Sequence, residues 1–250
     1  MTDKAFQKGL KTLVALAESN EPQSLASLSS QLKLTKSNTH RLLNTLIENG
    51  LAERDDKRGY YKASLRLWEL GVQIVNRIDF LGTARKAMSN LVKTTGETVH
   101  LSILVGAEVV YIDKKEGTQA VRSYTEIGGR APACWVATGK VLLAFLDEYE
   151  FQICCDKLIA LAPDTLDIQL LQKELAEVRR TNSAFNWGDW RRDVVGAAAP
   201  IRDSTGCVVA AIGISGPSVR LKAQLPEKSK AVKACALEIS GEMGWMGKSF

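Results

Sequence analysis

The chain has 250 residues, 45% of them hydrophobic and 24% charged; that is enough for two modest cores, since single domains commonly take about 100–200 residues. The longest apolar run, about eight residues at 207–214, is far short of the roughly 20 that a membrane-spanning helix needs, and Asp3 and Lys4 open a helical pattern rather than a secretory leader. A globular, cytoplasmic chain without membrane association is expected.

The five cysteines are odd in number and contain no C-x-x-C pair, which argues against a disulfide framework. Only two histidines, His40 and His100, are present, which leaves little material for histidine-based zinc or triad chemistry. The formal charge is 33 − 28 = +5, and it is unevenly spread: residues 1–66 hold 11 − 7 = +4, residues 67–250 hold 22 − 21 = +1. Basic excess confined to the first quarter points to a polyanion partner for that segment.

In chain order, Leu10, Leu13, Val14, Leu16 and Ala17 follow helical spacing and stop before Ser19-Asn20-Glu21-Pro22. Ser24 offers an N-cap to a short second helix carrying Leu25, Leu28 and Leu32 on one face. Thr35 caps a third helix that ends near Asn49-Gly50, where glycine suits the left-handed residue after a helix. Two short helices joined by a tight turn form a helix-turn-helix pattern. On a helical wheel, Leu42, Leu43, Leu46 and Ile47 of the third helix face a core, and Ser37, Arg41, Asn44 and Glu48 face away, flanked by Asn38 and Thr45. Asparagine, serine and arginine on the first turns of such a helix suit base edges and phosphates in a major groove.

Leu51-Ala52-Glu53-Arg54 and Tyr60-Tyr61-Lys62-Ala63 then bracket a polar turn ending in Gly59, a β-hairpin that makes the unit a winged helix-turn-helix. Lys57 and Arg58 at its tip are placed to touch phosphate. The DNA-binding candidates are thus Thr35, Lys36, Ser37, Asn38, Thr39, Arg41, Asn44, Lys57 and Arg58. Beyond residue 66, apolar strand-like runs at 99–104, 109–113 and 207–215 interleave with helical segments at 140–146, 170–179 and 228–243, without βαβ regularity, so an α+β fold is expected.

Enzyme motifs fail on inspection. Thr138-Gly139-Lys140 would end a P-loop, but Cys134 and Val141 stand where glycine and Ser/Thr belong. Gly213-Ile214-Ser215-Gly216 needs glycine at Pro217 to make a nucleophile elbow, and no histidine follows His100. A Cys134/His100 nucleophile pair, or a metal site using them, remains as the alternative: a hydrolase or metal-dependent enzyme with an N-terminal interaction module. No cofactor is expected.

The ordered segments resemble the IclR family of bacterial transcriptional regulators. In the first quarter the resemblance rests on Leu34-Thr35-Lys36-Ser37-Asn38-Thr39-His40-Arg41-Leu42-Leu43, Gly50-Leu51 and Tyr60-Tyr61-Lys62-Ala63-Ser64, then on Leu65-Arg66-Leu67-Trp68-Glu69-Leu70-Gly71 as the start of a linker helix. Later segments are Glu97-Thr98-Val99-His100-Leu101, Gly128-Gly129-Arg130-Ala131-Pro132, Ala137-Thr138-Gly139-Lys140, Gly196-Ala197-Ala198-Ala199-Pro200 and Ile214-Ser215-Gly216-Pro217.

The resemblance implies a winged helix-turn-helix domain over 1–65, a linker helix over 66–80, and over 81–250 a GAF-like effector domain with an antiparallel sheet flanked by helices. Dimers or tetramers binding double-stranded operator DNA are also implied, with binding modulated by a small-molecule effector and most plausibly controlling a catabolic operon. Carried over by position, the effector residues are Ala120, Ser123, Ala131, Ala137, Thr138, Asn186, Val194, Gly196, Gly213 and Ser215.

The segment Asn186-Trp187-Gly188-Asp189-Trp190-Arg191-Arg192-Asp193 departs from the family, which usually runs acidic there and has glycine where Asp193 stands. With Trp135, it adds Trp187, Asp189 and Trp190 to the effector candidates. Aromatic walls with arginines suit an organic acid, especially an aromatic one; a hydrophobic lid or subunit contact is the other reading of the same residues.

Overall fold

A computed structural model describes residues 3–55, 58–75, 80–123, 125–161 and 166–247. The chain divides into two compact units, residues 1–78 and 79–250.

The first unit comprises α1 (Lys4–Ala17), β1 (Gln23–Ser24), α2 (Leu25–Gln31), α3 (Lys36–Glu48), β2 (Ala52–Asp55), β3 (Tyr60–Ala63) and α4 (Arg66–Val75). Side chains cap the helices where the sequence leads one to expect it: Ser24 accepts from the Ser27 N–H, and Thr35 accepts from the Asn38 N–H. At the end of α3, Gly50 takes φ +71°. Its N–H bonds the Ile47 carbonyl, and the Leu51 N–H reaches back to Leu46, the paired closure that stops a helix and turns the chain into the next element.

β2 and β3 form the expected hairpin, with Ala52 opposite Ala63 and Asp55 opposite Tyr60. β1 adds a third strand, in the order β1-β3-β2, which periodicity could not announce because it is two residues long. Leu16, Leu28, Leu43, Leu46 and Tyr61 close a small core between the helices and this sheet. Fully burying a leucine is worth about 1.5–3 kcal/mol, so Leu28 and Leu43, both 0% exposed, anchor the two helices of the motif to each other.

The second unit runs α5 (Leu81–Thr95), β4 (Thr98–Val105), β5 (Glu108–Lys115), β6 (Arg130–Pro132), α6 (Ala137–Ala144), α7 (Glu148–Leu161), α8 (Ile168–Thr181), β7 (Ala184–Asn186), β8 (Val194–Arg202), β9 (Val208–Pro217), α9 (Ser218–Leu221) and α10 (Leu225–Glu242). Its six strands pair antiparallel in the order β6-β5-β4-β9-β8-β7.

Alternation assigns the two faces of this sheet. Val109, Tyr111, Ala198 and Ala211 share a core with α6, α7 and α8. α5 and α10 pack on each other and against β4, β5, β8 and β9, opposite the intervening residues Val99, Leu101, Ile212 and Ile214. The face under α6 is lined with small residues for a steric reason. A Cβ on Gly213 would lie 2.9 Å from the Thr138 methyl, and one on Gly139 would lie 2.2 Å from the Ala133 carbonyl oxygen. Every residue of α6 is buried, Lys140 included. The fold is therefore α+β, with no helix long and apolar enough to cross a membrane among the described residues.

Candidate DNA-reading face and ligand cavity

On α3, Lys36, Ser37 and Arg41 are exposed and Asn38 and Asn44 partly so. The Arg41 guanidinium lies 3.4 Å from the Asn38 side-chain oxygen, and the Asn44 amide lies 3.5 Å from the His40 ring nitrogen Nδ1. These residues form one polar face. Thr35 serves as the N-cap of that face, and Thr39 does not belong to it. Thr39 is 0% exposed and its hydroxyl donates to the Thr35 carbonyl, because its place on the wheel turns it toward Leu43 and Leu46. In the hairpin, the Asp55 carboxylate accepts from the Arg58 N–H and leaves the Arg58 side chain exposed. Lys57 lies outside the described residues.

The second unit holds a cavity of about 200 Å³ between the sheet, the start of α6 and the two segments leading into β6 and β8. Ser123, Ala131, Ala137, Thr138, Asn186, Trp190, Val194, Gly196, Gly213 and Ser215 line it, ten of the residues picked out from the sequence. Ala120 is exposed and does not line it; farther along the same segment, Ser123 and Thr125 reach the cavity instead. Three further candidates do not line it. Trp135 stacks on Trp190 at 5.6 Å between centroids and 17° between planes, Trp187 stacks on Phe185 instead, and Asp189 points away to Lys140.

The cavity floor includes groups that the sequence reading assigned elsewhere or left out. His100, on β4, is hydrogen-bonded through Nε2 to the Ser215 hydroxyl at 2.6 Å, and through Nδ1 to the Thr125 hydroxyl at 3.1 Å. Burial pushes its imidazole down to about 4, with the Lys114 charge acting the same way. It is a neutral ring with one donor and one acceptor nitrogen. Beside it, burial pushes the Tyr111 phenol up, with the Arg191 charge pulling against it. Of the charged residues at the wall, Arg130 pairs with Glu108 at 2.9 Å and Glu126 has a partner of its own. Among the described residues, no carboxylate pairs with Arg191. α6 opens on the cavity without a side-chain cap, so the free N–H groups of Ala137 and Thr138 add partial positive charge there.

The nucleophile pair considered from the sequence is not assembled. Cys134 is buried away from the cavity lining, and burial pushes its thiol up to about 11. Among the described residues no group of three His, Cys, Asp or Glu side chains could hold a metal ion.

Comparison with known proteins agrees with this division of labour. Residues 5–56 match the IclR helix-turn-helix domain, and residues 72–241 match the bacterial transcriptional regulator IclR C-terminal domain. The HTH-type transcriptional regulator XynR of Escherichia coli is 30% identical over 246 residues, covering 97% of this chain and 98% of XynR. The Thermotoga maritima IclR crystal structure superposes with a TM-score of 0.75 at 27% identity, covering 96% of this chain and 98% of that one. An IclR homologue from Microbacterium hydrocarbonoxydans, solved in complex with 4-hydroxybenzoate, shares the fold with a TM-score of 0.80 at 21% identity, covering 96% of this chain and 99% of that one. With a polar helix face in the first unit, a walled cavity in the second, and both matched family domains in order along the chain, this protein belongs to the IclR family of bacterial transcriptional regulators, a DNA-binding helix-turn-helix domain joined to an effector-binding domain.

Proposed function

We propose that the protein is a cytoplasmic repressor or activator whose operator affinity is set by a small organic acid bound in the second unit, and that it controls a catabolic operon. The observation that carries the ligand class is Arg191: a cation without an ion-pair partner among the described residues, at the wall of a cavity with a neutral hydrogen-bonding floor. An incoming carboxylate would gain a charge-assisted contact there, and the uncapped start of α6 favours the same charge. Trp190 supplies a flat apolar wall suited to an unsaturated or aromatic acid. The 4-hydroxybenzoate held by the Microbacterium homologue belongs to that class.

Self-association as a dimer or tetramer is part of the proposal. Phe6, Leu10 and Val14 leave an exposed apolar stripe at four-residue spacing on α1, and Leu65, Trp68 and Leu70 leave another at the start of α4. Paired reading heads would then meet half-sites about 34–36 Å apart, or multiples of that spacing. The acid works by preferring one arrangement of the pair and so shifting the population that fits the operator.

Thermal unfolding in the presence of a panel of organic acids tests the ligand, since a true one at 100 times its Kd adds about 2.7 kcal/mol. Arg191→Met should abolish the increment for acids without lowering the melting temperature of the free protein. An increment that survives in Arg191→Met, or that comes equally from the corresponding amides, would overturn the acid assignment.

A further inference from the structure

The segment 187–193, which brings Trp190 and Arg191 to the cavity, has no strand or helix of its own. Its backbone is held by few bonds: the Asn186 side chain accepts from the Gly188 and Asp189 N–H groups, the Arg191 carbonyl accepts from the Val194 N–H, and the Asp193 carbonyl accepts from the Ser218 N–H. Asp189 ties its middle to α6, with its carboxylate 2.7 Å from Lys140 Nζ, beside the Trp190–Trp135 stack. Lys140 belongs to the fully buried α6, and only 8% of its side chain is exposed. Burial opposes its charge, but bonds to Asp189 and Glu174 outweigh that and hold the ammonium above its ordinary range.

The two carboxylates do different work. Glu174, at 2.8 Å from Lys140, joins α8 to α6, which Leu171 and Leu175 already pack into one core with Val141 and Leu142. Asp189 joins α6 to a segment without regular structure, which β7 holds only at its first turn, through Asn186 and the Trp187–Phe185 stack. The residue after it, Trp190, stacks on Trp135, and the next, Arg191, reaches the cavity wall.

We propose that the Lys140–Asp189 contact is the latch that aims Trp190 and Arg191 at the ligand, making Asp189 and Lys140 positioning residues for effector binding, with Glu174 only a second carboxylate on the same ammonium, from α8. This rests on the organic-acid reading for the identity of the ligand, but not for the latch itself.

Two variants of the full-length protein separate the roles, because each removes one carboxylate from the same ammonium. Asp189→Asn should speed amide hydrogen exchange across 186–193 and weaken calorimetric binding of 4-hydroxybenzoate by about tenfold, the scale of one lost charge-assisted contact. Glu174→Gln should leave both unchanged, and Asp189→Glu should restore protection of the segment. Equal responses of Asp189→Asn and Glu174→Gln, or unchanged exchange in Asp189→Asn, would overturn the latch. If the wild-type chain binds no 4-hydroxybenzoate, the aromatic-acid reading fails for that probe and the exchange comparison alone decides the latch.

Discussion

His100 and Ser215, on neighbouring strands of the central sheet, meet at 2.6 Å between ring nitrogen and hydroxyl, while Thr125 occupies the other ring nitrogen at 3.1 Å. The cavity floor is thereby built around an imidazole that burial and the Lys114 charge keep neutral, its protonation pushed down to about 4 from an ordinary 6.5.

That shift has a sign for stability. Between pH 4 and 6.5 the unfolded chain carries the His100 proton and the folded chain does not, so stability rises with pH through this window and the contribution is complete above 6.5. It is lost as the pH falls through 4. The full span corresponds to about 3 kcal/mol. Urea unfolding at pH 4, 5, 6 and 7 should show this slope in the wild type, and a shallower one in His100→Gln. Parallel pH profiles for the two proteins would exclude His100 as the source.

On the DNA side, Arg41 and Arg58 should separate into two kinds of contact. Arg41 lies on the exposed face of α3, and Arg58 beside the hairpin turn. Arg41→Ala is expected to weaken specific operator binding by about 1–3 kcal/mol, while Arg58→Ala lowers binding to all DNA and reduces the salt slope by about 1. Lys57→Ala should behave as Arg58→Ala does. Mobility-shift titrations at several salt concentrations, on operator and random DNA, check both; equal specific and random losses for Arg41→Ala would refute its assignment.

Gly139 is a steric requirement of the fold. A Cβ there would stand 2.2 Å from the Ala133 carbonyl oxygen, backbone that cannot move aside without shifting the start of α6. Gly139→Ala should cost about 3 kcal/mol, at the upper end for overpacking, and should lower the melting temperature. Gly71→Ala, inside α4 with nothing within 4 Å of the added carbon, provides the contrast and should cost nothing, raising stability by up to about 1 kcal/mol.

Glu97 is buried to 1% exposure and pairs with Arg220 at 2.7 Å and with Lys228 at 3.3 Å. Arg220 also donates to the Val121 carbonyl, in the segment that brings Ser123 to the cavity. Removing one partner from a buried charge cluster costs about 3–5 kcal/mol. Glu97→Ala is expected to lose stability on that scale in denaturant unfolding, more than Arg220→Ala, whose side chain is 26% exposed. A loss below 1 kcal/mol for Glu97→Ala would contradict this ranking.

The sequence made the first unit legible because its punctuation is local. Ser24, Thr35, Gly50 and Gly59 each stand at the cap or turn that their chemistry favours, and the structure uses all four. In the second unit, the strand runs near 99–104, 109–113 and 207–215 emerge as β4, β5 and β9.

Less legible were α5, which starts without a side-chain cap, α7, whose Asp147 cap stands in a run without clear apolar periodicity, and the contacts of Lys140 and His100. Beyond the family resemblance, Lys140 drew notice as a failed P-loop lysine, and His100 as half of a nucleophile pair or metal site. Their functions depend on Asp189, Glu174, Ser215 and Thr125, at separations of 49 residues for Lys140–Asp189 and 115 for His100–Ser215. Pattern within a short window cannot supply such partners. Trp135, Trp187 and Trp190 show the same limit, since composition groups the three tryptophans and only the fold says that two of them stack while the third turns to Phe185.

The run from Trp187 to Asp193 is spliced between β7 and β8, whose ladder holds Ala184 against Ala198 and Asn186 against Gly196 whatever lies between them. It is an interchangeable cartridge in a fixed socket. If Trp190 and Arg191 meet the effector as proposed, a few codons rewritten there would change the ligand that is answered without touching either the ladder or the helix-turn-helix domain.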